Sequence, residues 1–107
     1  MNQLLLSTDV WVGALIRRAE LEGANAVVVK KGDARAGAVI VKAYDTAART
    51  ARLWTEATGQ DGEPLWIQPV ASEFESELDA YLDRQRRYDP DLWIVEIEDR
   101  QGRHFLT

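Results

Sequence analysis

Cysteine is absent from the 107 residues, and histidine occurs once, as His104. The first absence removes disulfides, thiolate nucleophiles, zinc ribbons and iron–sulfur clusters. The second removes any multi-histidine metal site within one chain. Long hydrophobic runs are also missing: nothing approaches the ~20 apolar residues of a membrane span. Near the amino end only Leu4, Leu5 and Leu6 are apolar, with no basic residue before them. A secretory signal combines a basic start with roughly 7–15 apolar residues. Positive charge is scarce: 13 lysines and arginines face 18 acidic residues, a net charge of -5. General binders of nucleic acid or acidic membranes need a positive field instead. The serines are only Ser7, Ser72 and Ser76, and two of them stand where helix caps belong, so no hydrolase triad is legible. The expectation is a cytoplasmic protein with no membrane partner.

What is present is an ordinary globular mixture, 46% apolar and 29% charged, at a length that suits a single domain over residues 1–107. Ser7, Thr8 and Asp9 suit a helix start. Trp11, Val12, Leu15, Ile16 and Ala19 then recur at helical spacing up to Gly23, predicting a helix near 9–22. β-Branched or alternating runs predict strands near 26–31, 38–44, 49–56 and 65–70, joined by turn-rich segments. Ser72 and Glu75 match a capping box ahead of a second helix near 73–87, which Pro90 ends. Leu92-Trp93-Ile94-Val95-Glu96-Ile97-Glu98 is the strongest strand signal, and Gly102 follows in a tight turn before a possible short return through 103–106.

These elements predict an α+β domain: a mostly antiparallel five-stranded sheet with two helices on one face. The sheet is a four-strand meander plus a C-terminal strand, in the order 4-3-2-1-5. The expected core comprises Val12, Leu15, Ile16, Val28, Ile40, Leu53, Phe74, Leu78, Leu82 and Ile94.

Chemistry is harder to find. Gly32 and Gly37 bracket a loop, but the third glycine of a dinucleotide fingerprint and the Lys-Ser or Lys-Thr pair of a P-loop are missing. Glu96 and Glu98 project from one face of their strand and, with Asp89, Asp91 and Asp99, could hold a hard cation. Val95 and Ile97 on the opposite face make these glutamates more simply the solvent side of a half-buried strand. Asp89 and Asp91 are expected to pin the turn around Pro90 through backbone amides or Arg86 and Arg87. His104 titrates near neutrality but has no visible nucleophile beside it. Arg84, Arg86 and Arg87, next to Tyr88, resemble a fragment of a nucleic-acid surface, and equally an arginine-stabilised helix end. No catalytic, cofactor-binding or metal-binding residue is assigned.

Four tryptophans are many for this length. Trp11 and Trp93 fall on core stripes. Trp54 and Trp66 lie on neighbouring strands near a predicted sheet edge. Trp54, Trp66 and Ile67 are therefore the expected partner-binding residues. The 65–70 strand carries no charge to protect its edge, which predicts association with another protein, including self-association as a two-fold dimer.

Two stretches, WVGALIRRAELEGANAVVVKKGDARAGAVIVK (11–42) and YLDRQRRYDPDLWIVEIEDRQGRHFL (81–106), resemble a family of small alphaproteobacterial proteins, domain of unknown function 1491. The segment from Tyr88 to Trp93 and the turn at Glu98-Asp99-Arg100 are the most distinctive parts. The resemblance implies a bacterial cytoplasmic protein and supplies no activity. The leading functional expectation is a small non-enzymatic protein acting through protein–protein association. The alternatives are a nucleic-acid-contacting accessory protein using Arg84, Arg86 and Arg87, or a metal-dependent enzyme using the C-terminal carboxylates.

Overall fold

The structure, a computed structural model, describes residues 6–106. Seven elements follow in order: α1 (Thr8–Leu21), β1 (Asn25–Lys30), β2 (Val39–Asp45), β3 (Thr50–Thr58), β4 (Pro64–Ile67), α2 (Glu75–Tyr88) and β5 (Trp93–Asp99). They form an α+β fold with one mostly antiparallel five-stranded sheet, as the periodicity predicts. Residues 103–106 do not form a further strand. No helix among the described residues is long and apolar enough to cross a membrane.

The strand order is β1-β5-β2-β3-β4, which corrects the expected 4-3-2-1-5. The meander has three strands, not four, because β1 and β2 do not pair. Instead β5 lies between them, antiparallel to β1 and parallel to β2. Burial explains the insertion. In β2, Val39 through Ala43 are all buried, and in β5 Trp93, Ile94, Val95 and Ile97 are buried. A strand apolar on both faces belongs in the sheet interior, so these two strands sit together at its centre. β1 is left at the edge.

The helices cover opposite faces, not one. Val39, Val41, Val95 and Ile97 pack with Trp11, Val12, Leu15 and Ala19 of α1. Ile40, Leu53 and Ile94 pack with Leu78 and Leu82 of α2. Since neighbouring residues of a strand point to opposite faces, these are two separate cores in an α1–sheet–α2 sandwich. Both helices show an apolar stripe, and stripes alone do not say which face of the sheet each one covers. Two expected core residues are exposed: Val28 lies on the edge strand, and Phe74 immediately precedes α2.

Tertiary contacts replace the expected side-chain caps. The first amides of α1, Thr8 and Asp9, donate to the carbonyls of Arg35 and Ala34 (3.2 and 2.9 Å), and Thr8 Oγ1 donates to Gly37 O. Ser72 Oγ accepts from the Phe74 amide (3.2 Å), a local turn and not a capping box, and α2 starts two residues later than expected. At its other end α1 closes with Gly23 N donating to Glu20 O and Ala24 N to Ala19 O, the paired bonds of a Schellman motif.

The segment from Gly32 to Gly37, expected as a hairpin loop, crosses the start of β5. Asp33 N donates to Asp91 O, Trp93 Nε1 to Asp33 O (2.7 Å), and Trp93 N to Ala38 O. A Cβ at either Gly32 or Gly37 would overlap the Asp91 carbonyl oxygen. These two glycines therefore serve close backbone packing and not a phosphate.

Candidate functional site

The described side chains with the most chemical variety meet where α1, β3 and the segment after β5 converge, on the α1 side of the sheet. Trp54 opposes Val41 in the β2–β3 ladder and so faces the α1 layer; Arg52, two residues earlier, shares that face. Arg18 comes from α1, and Arg103, His104 and Phe105 from the C-terminal segment. Together they line a cleft of about 650 Å³.

The C-terminal wall is built on Asp99. This carboxylate ends β5, is buried, and accepts Arg103 Nε (3.0 Å) and Nη2 (2.9 Å) as well as the Gln101 and Arg103 amides. The Arg103 hydrogen bond, helped by the two amides against the opposing effect of burial, holds the Asp99 pKa down to about 2. Arg103 Nη2 also donates to Glu22 O, and its Nη1 stands 3.6 Å from a Glu22 carboxylate oxygen. The segment is thereby tied to the end of α1.

Phe105 has a φ of 59°, a left-handed conformation that a bulky residue rarely adopts. Arg18 holds it there through Nε and Nη2, which both donate to Phe105 O (3.1 and 2.7 Å). The Arg103 guanidinium lies 4.8 Å from the ring centroid. Beside it, His104 meets Trp54 edge-on at 4.6 Å between centroids. His104 Nδ1 accepts the Leu106 amide, which leaves the ring proton of the neutral form on Nε2. Burial lowers the His104 pKa and favours that neutral form at pH 7.

The other expected partner-binding residues lie apart from this cleft. Trp66 opposes Glu56 across β3 and β4 and stacks on Trp11 at 5.5 Å with an 11° interplanar angle. Glu56 Oε2 and Trp66 Nε1 are buried with no hydrogen-bond partner among the described residues, and burial raises the Glu56 pKa. Ile67 is exposed on the other face of β4.

The carboxylates near the carboxyl end are dispersed into separate tasks. Asp89 Oδ1 accepts the Asp91 amide and fixes the turn around Pro90. Glu98 accepts from Asn25, and Glu96 faces Lys42 at 3.9 Å. Lys42 itself, only 5% exposed, donates to Glu75 (2.7 Å) and Asp79 (3.1 Å) at the start of α2. Burial works to lower the Lys42 pKa, but its carboxylate bonds outweigh this and leave it raised. Burial also raises the Glu96 pKa, against the pull of Lys42. The acidic groups here are organised around an ammonium, and among the described residues no group of three histidine or acidic side chains could hold a metal.

Arg84 lies 5.9 Å from the Tyr81 ring centroid, while Arg86 borders a hollow shared with Asp79, Asp83 and Glu96. These acids surround Arg86 with negative charge. Sequence reasoning does not single out Lys42, Arg52 or Arg103. Lys42 carries a signal, a lone charge inside an otherwise apolar strand; the arginines carry none.

The family model described as "Protein of unknown function (DUF1491)" matches residues 6–107. A crystal structure of a DUF1491 family protein from Caulobacter crescentus CB15 is 69% identical, covers 95% of each chain and superposes with a TM-score of 0.92. An NMR structure of a DUF1491 family protein from the same organism, also 69% identical, covers 96% of this chain and 94% of that one, with a TM-score of 0.88. The solution structure of protein Atu0922 from A. tumefaciens is 34% identical, covering 88% and 86%, with a TM-score of 0.75. No curated protein matches. Sequence and fold agree over nearly the whole length, and the chain belongs to the DUF1491 family.

Proposed function

We propose that this protein acts in the cytoplasm by association with another protein chain, a second copy of itself, through the open edge of β1. The observation that supports this is the run Val27-Val28-Val29, whose members are 49%, 41% and 48% exposed. The valines occupy an edge strand with no charge from Asn25 through Val29. Open edges normally carry charge, a covering element or a bulge. Among the described residues, this edge is protected by a register irregularity between Val28 and Lys30 and by the lysine that ends the strand. β4, the opposite edge, is four residues long, begins with Pro64, and stacks its tryptophan inward on Trp11. It offers a shorter ladder than β1, so the preferred docking strand shifts from β4 to β1.

Antiparallel pairing of β1 with its own copy about a two-fold axis joins the two sheets into one and covers valine with valine. The net charge of -5 per chain opposes the approach. Added salt should therefore tighten the dimer by screening that repulsion. Sedimentation of the wild type at micromolar concentration is expected to give a dimer. Val28→Lys should give a folded monomer whose melting temperature is lower than that of the wild type and no longer depends on protein concentration. A wild-type monomer overturns the reading. A dimer that survives Val28→Lys but dissolves with Ile67→Lys moves the interface to β4.

A further inference from the structure

We infer that the cleft beside Trp54 binds a small planar anion, an aromatic or heteroaromatic ring carrying a carboxylate or a phosphate. It lies on the α1 face away from the β1 edge and is independent of dimer formation. Its volume, about 650 Å³, falls within the range of small-molecule sites. One wall is aromatic: Trp54, half-buried, meets the edge of His104, and Phe105 lies beyond them. An indole face stacks on any planar ring without demanding a particular hydrogen-bond pattern.

The polar partners converge on the same space from three different elements. Arg18 is oriented by the Phe105 carbonyl, and no carboxylate among the described residues forms an ion pair with it. Arg52, exposed, engages Glu73 through Nη2 and keeps its other donors for a ligand. A guanidinium suits a carboxylate or phosphate because its fork matches two oxygens. Glu22 stands at the cleft as a counter-charge and pairs with Arg103. An anion without a ring therefore gains too little here, and the stacking contribution decides binding.

The backbone supports the same conclusion. A bulky residue at positive φ costs roughly 1–3 kcal/mol and persists where its surroundings over-determine it. Phe105 is over-determined by two arginines. Both of those arginines line the cleft. The strain thus fixes the positions of one ring and two guanidinium groups that a ligand would meet together.

The test is an NMR titration of the labelled protein, following the Trp54 indole and His104 ring signals. Adenosine 5′-monophosphate and anthranilate are the probes, with adenosine and inorganic phosphate as controls. At least one probe is expected to shift both signals saturably, with an affinity about tenfold or more above either control. Whichever probe is preferred distinguishes a phosphate from a carboxylate ligand. Arg52→Gln, an exposed substitution that leaves the fold intact, should weaken binding about tenfold. Val28→Lys should leave it unchanged. The inference is overturned if neither probe gives a saturable shift at millimolar concentration, or if inorganic phosphate alone binds as well as the probes.

Discussion

Asp99 shows how much one buried carboxylate can decide. It receives two guanidinium bonds and two amide bonds, and its pKa stands at about 2. A carboxylate whose folded pKa lies below its unfolded value, about 3.9, adds stability that is complete above that value and is lost as pH falls toward 2. The contribution is on the order of 1–2 kcal/mol after allowing for solvent beside Arg103. Glu56 and Glu96 carry the opposite sign, because burial raises their pKa values. Their protonation relieves the folded state as pH falls, before the Asp99 contribution is lost. Stability measured by denaturant titration should hold from neutrality to about pH 5 and fall steeply from about pH 4 to 2. Asp99→Asn should lower stability at pH 7 by about 2 kcal/mol and flatten the steep limb.

Lys42 is the residue-scale counterpart on the other face. Its ammonium is buried, but Glu75 and Asp79 reach it from positions about half open to water. Losing the lysine leaves those two carboxylates free to hydrate, so the removal of packing should matter more than the removal of charge. Lys42→Met, which keeps the side-chain volume, is expected to cost about 1 kcal/mol. Lys42→Ala, which opens a cavity between sheet and α2, should cost about 2–4 kcal/mol by the same denaturant measurement.

Among elements, the glycines separate conformational economy from packing. Gly13 lies in α1, and an added methyl there would meet nothing within 4 Å, so Gly13→Ala should raise stability by about 0.5–1 kcal/mol. Gly32→Ala and Gly37→Ala press a methyl into the Asp91 carbonyl and should each cost about 2 kcal/mol or more, on the order of an overpacked core. Thermal melts of the three single variants check both signs. Element identity and type are legible in the sequence: all seven appear within a few residues of their expected bounds. Their arrangement is not. Val27-Val28-Val29 and Val39-Ile40-Val41 look alike as strings, yet the first is exposed at an edge and the second buried at the centre. What separates them is β5, whose two apolar faces need neighbours on both sides, and that requirement acts between segments far apart in the chain.

At the scale of the whole molecule, the same distance hides the candidate site. Trp54 and His104 each stand out alone, one as a surplus tryptophan and the other as the sole histidine. Their contact depends on the Asp99 turn carrying the chain back toward β3. In sequence Arg18 reads as part of a basic cluster with Arg17, Lys30 and Lys31, and Arg52 and Arg103 carry no signal; the three become a set only when three elements converge. The structural task of Asp89, by contrast, is legible in the sequence, because a turn bond is local.

The insertion of β5 between β1 and β2 also governs how the chain can be made. Every earlier strand emerges from synthesis before the one that fills the centre of the sheet. Until β5 arrives, β1 with α1 and the β2–β3–β4 meander are two pieces with no ladder between them, each showing a raw strand edge. The pairing that joins them links residues near 25–30 and 39–45 to residues 93–99, so loop-closure entropy is met before any reward is collected. Native structure therefore comes late and all at once. The nascent chain passes through an interval in which β2, a strand buried on both faces in the finished sheet, lacks a neighbour on one side, and that interval is when it is most exposed to misassembly.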